Sequence, residues 1–156
     1  MFEKQALCKF LIKAKKATYA SGDDTKNIKE ENGSTTLIFE EGDFKYQDNY
    51  FGGEPYGGRE IVFFQDKIVY IMVYYGKVNK ELEDMKEVYG FLQKALTLIP
   101  ENKPYRGPKE YRENNLEYTN NFNGEIDNFS GEETIKKDNQ EIYKAKYIGG
   151  FVDQRR

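Results

Sequence analysis

Two glutamates, Glu60 and Glu133, each follow a glycine by two positions, in the motifs GRE (58–60) and GEE (131–133). Both motifs lie at the start of a predicted hairpin. Two carboxylates in corresponding places can act as a general acid and a general base, or hold a cation. In this enzymatic alternative, Glu60 and Glu133 are the catalytic residues and act on a small anionic or sugar-like substrate. In the structural alternative, each glutamate accepts hydrogen bonds from backbone N–H groups or pairs with an arginine.

A second candidate feature is the segment KPYRGP at residues 103–108. Its prolines stiffen the chain, and the glycine between them frees the backbone. A rigid loop that presents Tyr105 and Arg106 can clamp a carboxylate or a phosphate. Alternatively, the segment only ties a helix to the next strand. Tyr56 is a further candidate, because it lies between two glycine pairs at 52–58. The candidate ligand-binding residues are Tyr56, Arg59, Glu60, Tyr105, Arg106 and Glu133.

The residue types that the sequence lacks exclude several kinds of catalytic site. The chain has no histidine and a single cysteine, which rules out a Ser–His or Cys–His nucleophilic pair. Histidine is also the commonest general base and metal ligand. The sequence contains no calcium-binding loop, cysteine cluster or phosphate-binding glycine loop. We therefore expect no metal and no cofactor, and lean towards a protein that is not an enzyme.

Charge and composition narrow the partners and the compartment. The formal net charge is −3, whereas nucleic-acid-binding proteins usually carry a basic surplus, so we expect no nucleic acid partner. The longest apolar run, Ile68–Tyr75, is too short to span a membrane. A lone cysteine forms no intramolecular disulfide, which favours the cytoplasm. The lysines of the N-terminal helix are interpreted as its solvated face; they are Lys4, Lys9, Lys13, Lys15 and Lys16.

Two helices that would position these residues are predicted from apolar residues at helical spacing. The phrases FLIKA (10–14) and FLQKA (91–95) are nearly identical. Pro100 ends the second helix. The apolar stripes comprise Leu7, Phe10, Leu11, Ala14 and Thr18 in the first helix and Val88, Phe91, Leu92, Ala95 and Ile99 in the second.

Strands are predicted wherever apolar residues alternate between turn signals. Each half of the chain then has the order helix, connector, strands. We therefore predict an α+β fold, a tandem duplication of an αβββ unit in one or two antiparallel sheets with two helices packed on one face. Residues 1–156 form a single domain, with repeat halves of about 1–78 and 79–156. The predicted strands are Thr35–Glu40, Phe44–Phe51, Glu60–Phe64, Ile68–Tyr75, Leu116–Phe122, Glu132–Lys137 and Glu141–Ile148.

The first half carries apolar residues on both faces of its predicted hairpin. The face opposite the helices has Ile61, Phe63, Ile71 and Val73, where the second half has mostly polar residues. An uncovered apolar patch of this kind is unusual on a monomer. Homodimerisation through these residues is therefore one interpretation, and a Val73→Lys variant would then be monomeric.

Four stretches, EGDFKYQDNYFGG, KPYRGP, FSGEE and KYIGG, resemble an uncharacterised bacterial family. The resemblance extends from the first helix to the final glycines. Its members occur alone or behind a helix-turn-helix module in transcriptional regulators, so the resemblance implies a bacterial cytosolic protein in a regulatory context. It implies no reaction, substrate or catalytic residue.

The leading hypothesis is a non-catalytic cytosolic module that binds a small ligand or a protein partner. It depends on the missing catalytic chemistry and on the surplus of aromatic and apolar surface. The alternatives are the carboxylate enzyme and the homodimeric interaction protein. They differ in whether Glu60 and Glu133 face one cleft and in whether the second apolar face is covered by another copy.

Overall fold

The computed structural model describes residues 1–23, 26–79 and 84–155. Helix α1 spans Lys4–Ala17 and is followed by a 3₁₀ turn at Tyr19–Ser21. Helix α2 spans Met85–Leu96. Over the described residues, neither helix has the length and the apolar composition that crossing a membrane requires.

Each helix forms because one of its faces is apolar and buried. Leu7, Leu11 and Ala14 of α1 are fully buried, as the helical spacing predicted. In α2 the buried stripe includes Phe91, Leu92 and Ala95. Asp84 caps α2 by accepting a hydrogen bond from the backbone N–H of Glu87 at 3.1 Å. The interpretation of the α1 lysines as a solvated face is wrong for Lys15, which is fully buried.

The described chain also contains nine strands, and each of the seven predicted strands lies inside one of them. Two short strands were missed, because β1 has two residues and β6 has four, too few to show an alternating pattern. The strands are β1 Ile28–Lys29, β2 Thr35–Glu41, β3 Phe44–Gly52, β4 Tyr56–Phe64, β5 Lys67–Val78, β6 Glu110–Glu113, β7 Leu116–Glu125, β8 Asn128–Lys137 and β9 Gln140–Phe151.

All nine strands belong to one antiparallel sheet with the spatial order β1-β2-β3-β4-β5-β9-β8-β7-β6. The prediction of an α+β tandem duplication of an αβββ unit is therefore wrong. Strand β5 pairs with β9 from Tyr70 opposite Phe151 to Val78 opposite Tyr143, and this pairing merges all the strands into one continuous sheet. Over the described residues, strands outnumber helices, and the α-helices are the two short segments α1 and α2.

The side chains that contact the two helices share one face of this sheet. Tyr74 of β5 lies opposite Tyr147 of β9, and Val78 lies opposite Tyr143, so alternate residues of both strands point the same way. The core beneath α1 includes Tyr46, Val62, Tyr70, Met72 and Phe129. The core beneath α2 includes Tyr118, Ile135, Tyr143 and Ala145.

The opposite face of the sheet carries the residues of the predicted homodimer contact. Ile61 is buried, Phe63 and Ile71 are half-buried, and Val73 is 47% exposed. Val73 lies directly opposite Ile148, which is 62% exposed. The apolar patch is therefore real, and homodimerisation through it stays a prediction.

Candidate functional site: a tyrosine-lined cavity with a buried aspartate

A cavity of about 400 Å³ opens between the chain that follows α1, the first strands of the sheet and helix α2. The strands contribute residues from the ends of β2 to β5 that lie nearest α2. The connector between α2 and β6 contributes Arg106. The lining residues used below are Tyr19, Asp23, Lys29, Asp48, Tyr56, Tyr74, Tyr89, Gln93 and Arg106.

Tyrosine rings form much of the cavity wall and are held in place by hydrogen bonds. The rings of Tyr56 and Tyr74 lie 6.0 Å apart, and those of Tyr56 and Tyr89 lie 6.2 Å apart. The Tyr89 hydroxyl donates to Glu54, and the Tyr56 hydroxyl is hydrogen-bonded to the hydroxyl of Tyr143. These contacts fix the rings, so the wall is preformed rather than assembled around a ligand.

Asp48 is the buried carboxylate that reaches this cavity. It lies on β3 at the helix-facing side of the sheet, and only 2% of the residue is exposed. Among the described residues, its hydrogen-bond donor is the hydroxyl of Tyr74, at 2.5 Å from Oδ1. Burial raises the pKa of Asp48 to about 7, and the negative charge of nearby Glu60 adds to the rise. Asp48 therefore changes charge near neutral pH.

Arg106 brings a buried positive charge to the same cavity. Its Nε donates to Glu133 Oε1 at 2.6 Å, and its guanidinium lies 5.3 Å from the ring of Tyr19 and 5.8 Å from that of Tyr74. Burial disfavours the charged guanidinium, but Glu133 and the surrounding tyrosines raise the pKa of Arg106 well above its usual range. Arg106 therefore stays charged, with Glu133 as its counter-ion.

Glu133 lies beneath the cavity and is completely satisfied. One carboxylate oxygen accepts the Arg106 bond, and the other accepts a hydrogen bond from the Tyr118 hydroxyl at 2.6 Å. The Tyr118 hydroxyl in turn accepts a bond from the Gly107 N–H at 3.0 Å. The charge-assisted bonds on both oxygens make this a rigid structural unit. Of the alternatives for Glu133, the pairing with an arginine is the one found.

Glu60 lies in the matching place on β4 but is less well satisfied. It is fully buried, and its Oε2 lies 2.9 Å from Nζ of Lys15. The ammonium of Lys15 also donates to the backbone oxygen of Tyr105 at 2.6 Å. Within the described residues, neither carboxylate oxygen of Glu60 has a hydrogen bond of good geometry, and the ion pair with Lys15 is the contact of Oε2. Burial lowers the pKa of Lys15, and the charge of Glu60 opposes that effect.

Each Gly-x-Glu motif requires its glycine, because neighbouring atoms lie too close to leave room for a Cβ atom. A Cβ atom at Gly131 would lie 2.2 Å from Cζ of Tyr147, whose ring crosses over this position. A Cβ atom at Gly58 would lie 2.4 Å from the backbone oxygen of Asn49 on the neighbouring strand. The motif therefore reflects packing within the sheet, two residues before each buried glutamate.

The structure brings only part of the predicted site together. Tyr56 and Arg106 line the cavity, whereas Glu60 and Glu133 do not, although each lies in an ion pair next to it. Tyr105 is a core residue whose ring stacks on Phe129 with a centroid distance of 3.9 Å. Arg59 is exposed, because it alternates with the buried Glu60 on β4.

Several residues of the cavity were not recognised in the sequence, above all Asp48, Tyr19 and Tyr74. A signal for Asp48 does exist, since it alternates with Tyr46 and Tyr50 on a predicted strand and so is an acidic residue on an apolar face. Tyr19 gives no such signal, because it belongs to a 3₁₀ turn outside the helical pattern. Over the described ranges, no group of three or more His, Cys, Asp and Glu side chains could hold a metal ion.

A comparison with known protein families identifies the family of this chain. The model of a domain of unknown function, DUF5680, matches residues 48–152, and the chain belongs to this family. No curated protein and no solved structure matches the chain. The matched range begins at Asp48 and includes the strands that carry Glu60 and Glu133.

Proposed function

We propose that this member of the DUF5680 family binds a small molecule in the tyrosine-lined cavity. The observation that carries the proposal is the cavity itself, with its fixed aromatic walls and the buried carboxylate of Asp48 in its lining. Small-molecule sites are typically concave, about 300–1,000 Å³ in volume, and lined by apolar and aromatic groups with a few placed polar groups. The cavity agrees with each of these criteria.

The polar groups at the cavity support ligand binding more than catalysis by the two repeated glutamates. Glu60 and Glu133 are fully buried, and each is engaged by a cation, so a substrate in the cavity does not touch either carboxylate. A carboxylate that exchanges protons with a substrate must lie within hydrogen-bond reach of it. The binding role is therefore our proposal, and a regulatory role in the cytoplasm would be exercised through the bound ligand.

Native mass spectrometry of the protein purified without denaturation tests the proposal. We expect a small-molecule adduct on the folded chain. In a ¹H–¹⁵N NMR titration with a small-molecule extract of the host, we expect the amide shifts to concentrate on residues that line the cavity. Shifts scattered over the opposite face of the sheet, or none at any cavity residue, would contradict the proposal.

A pair of variants on helix α2 localises the adduct. Gln93 is exposed and lines the cavity, so Gln93→Trp narrows its mouth. Lys86 is also exposed on α2 but lies outside the lining, which makes Lys86→Trp the matched control. The adduct should be lost from Gln93→Trp and kept by Lys86→Trp. Retention in both variants would place the ligand elsewhere.

A further inference from the structure

The buried charges around the cavity do not balance. Five side chains of the Lys, Arg, Asp and Glu types are buried among the described residues: Lys15, Asp48, Glu60, Arg106 and Glu133. They comprise three carboxylates and two cations. Because a buried charge is costly unless it is paired, this set has one carboxylate too many when all of its members are ionised.

The unpaired carboxylate is the one that faces the cavity. Lys15 lies 2.9 Å from Glu60, and Arg106 lies 2.6 Å from Glu133, so each cation already has a counter-ion. Asp48 has the hydroxyl of Tyr74 as its donor and forms no ion pair with any described residue. The exposed rim of the cavity adds one charge of each sign, Asp23 and Lys29, and leaves the imbalance unchanged.

We infer that the ligand of this cavity carries a protonated amine or another ammonium group, which pairs with Asp48. The inference rests on the proposed function and names the chemical class of the ligand. A cation at this place makes the number of buried positive and negative charges equal. The tyrosine walls suit the same class, because aromatic faces attract ammonium groups within about 6 Å of the ring centre.

The aromatic lining offers such a cation more than one contact. Tyr56, Tyr74 and Tyr89 line the same cavity as Asp48, and Tyr74 contacts Asp48 directly. The guanidinium of Arg106 already lies on the rings of Tyr19 and Tyr74. These walls therefore hold one cation in the folded protein. Tyr19 also has a buried hydroxyl that lacks a hydrogen-bond partner within the described residues. That hydroxyl can pair with a polar group on the ligand.

Arg106 does not turn the cavity into an anion site. Its Nε is bonded to Glu133, and its Nη2 lies 3.4 Å from the hydroxyl of Tyr56. A bound anion would raise the excess of buried negative charge from one to two. A cationic ligand removes that excess, which decides between the two classes of ligand.

Three probes of the same size but different charge test the inference: benzylammonium, benzyl alcohol and benzoate. Binding is followed by ¹H–¹⁵N NMR at neutral pH, from the shifts of the cavity residues. We expect benzylammonium to bind at least about tenfold more tightly than benzyl alcohol, and benzoate to bind most weakly. Because the three probes share one ring, the differences report charge rather than apolar contact.

The variant Asp48→Asn keeps the shape of the side chain and removes its charge. We expect it to lose the tenfold preference for benzylammonium over benzyl alcohol. In the parent protein, the affinity for benzylammonium should also rise with pH up to about pH 7 and then level off, since the cation binds to the ionised carboxylate. The charged and titratable groups around Asp48 are Glu60, Lys15, Arg106, Tyr74, Tyr19 and Tyr46.

Each outcome decides the inference, and the parent protein alone suffices if the variant does not fold. Tighter binding of benzoate or benzyl alcohol at the cavity residues would overturn the ammonium inference and leave the small-molecule function standing. Failure of all three probes to shift the cavity residues at millimolar concentration would also overturn it. The mass-spectrometric adduct judges the proposed function separately, so the two failures remain distinguishable.

Discussion

The surroundings of Glu60 and Glu133 are similar, but they differ in the residue that lies directly opposite each glutamate on the neighbouring strand. Each glutamate is fully buried on the helix-facing side of the sheet and paired with a cation. Directly opposite Glu60, on the neighbouring strand, lies Asp48, which accepts a bond from a tyrosine hydroxyl. Directly opposite Glu133 lies Asn120, which accepts a bond from the Tyr147 hydroxyl at 2.7 Å. The residue opposite Glu60 is thus a carboxylic acid, whereas the residue opposite Glu133 is a neutral amide.

This difference bears on the proposed binding role of Asp48. The amide of Asn120 also donates to the backbone oxygen of Gly107 at 3.0 Å, so both of its polar atoms are used. Asp48 cannot donate when ionised, and it lies at a cavity rather than against the backbone. A fold that needs only stability has no reason to keep a second carboxylate next to Glu60. The comparison therefore supports the proposal that Asp48 binds the ligand.

The largest effect is expected when the amide at Asn120 is made acidic. The Asn120→Asp variant puts an unpaired carboxylate opposite Glu133 and removes the donor to Gly107. We expect a loss of about 3–5 kcal/mol in the free energy of unfolding at neutral pH, because the new charge is buried without a partner. Urea denaturation followed by circular dichroism measures it. A loss below about 1 kcal/mol would mean that the two sites tolerate charge equally.

The opposite exchange, Asp48→Asn, should stabilise the protein in a pH-dependent way. The pKa of Asp48 is about 7 in the folded protein and 3.8 without the fold. Between these values the folded state holds one more proton, so the free energy of unfolding of the parent falls as pH rises through this window. We expect the variant to exceed the parent by up to about 4 kcal/mol above pH 7 and to equal it near about pH 4.

Parallel urea denaturations over this pH range measure the difference between the two proteins. Arg59→Gln is the control, because Arg59 is exposed on the other face of the sheet and its replacement should leave the pH profile unchanged. A constant difference between Asp48→Asn and the parent at all pH values would show that Asp48 does not titrate in the folded state.

The smallest effects should come from removing one hydroxyl at each site. Tyr118→Phe takes a hydrogen bond from the permanently paired Glu133 and should cost about 1.5–3 kcal/mol. Tyr74→Phe takes a hydrogen bond from Asp48, which can respond by binding a proton, so we expect a cost of about 1 kcal/mol. Thermal unfolding at about pH 6 compares the two variants. Equal costs would remove the distinction between a titrating and a fixed carboxylate.

The sequence was sufficient to predict the individual helices and strands, but not how the strands pair with one another. Alternation located seven strands, and helical spacing located both helices, because these patterns arise from residues close together in the chain. The pairing of β5 with β9 left no such pattern, so the sequence did not decide between one sheet and two. Burial of Lys15 was missed for the same reason, since its partner Glu60 lies on a distant strand.

Only some residues of the candidate site could be predicted from the sequence. Arg106 and Tyr56 were found from local features, a rigid loop and flanking glycines, and both line the cavity. Tyr105 and Arg59 were chosen on similar grounds, but one stacks in the core and the other is exposed. The alternation of Asp48 with Tyr46 and Tyr50 marks it as an acidic residue on an apolar face. That Glu60 lies directly opposite Asp48 is seen only from the register of β3 and β4.

The strand order has a consequence for how the chain folds. In the described part of the sheet, every neighbouring pair except one joins strands that follow each other in the chain. Such pairs close short loops, which costs little entropy and proceeds quickly. The pairing of β5 with β9 must instead close the long segment that carries α2 and β6 to β8. Two rapidly formed meanders and a slow, late joining of their outer strands are therefore the expected order of events during folding.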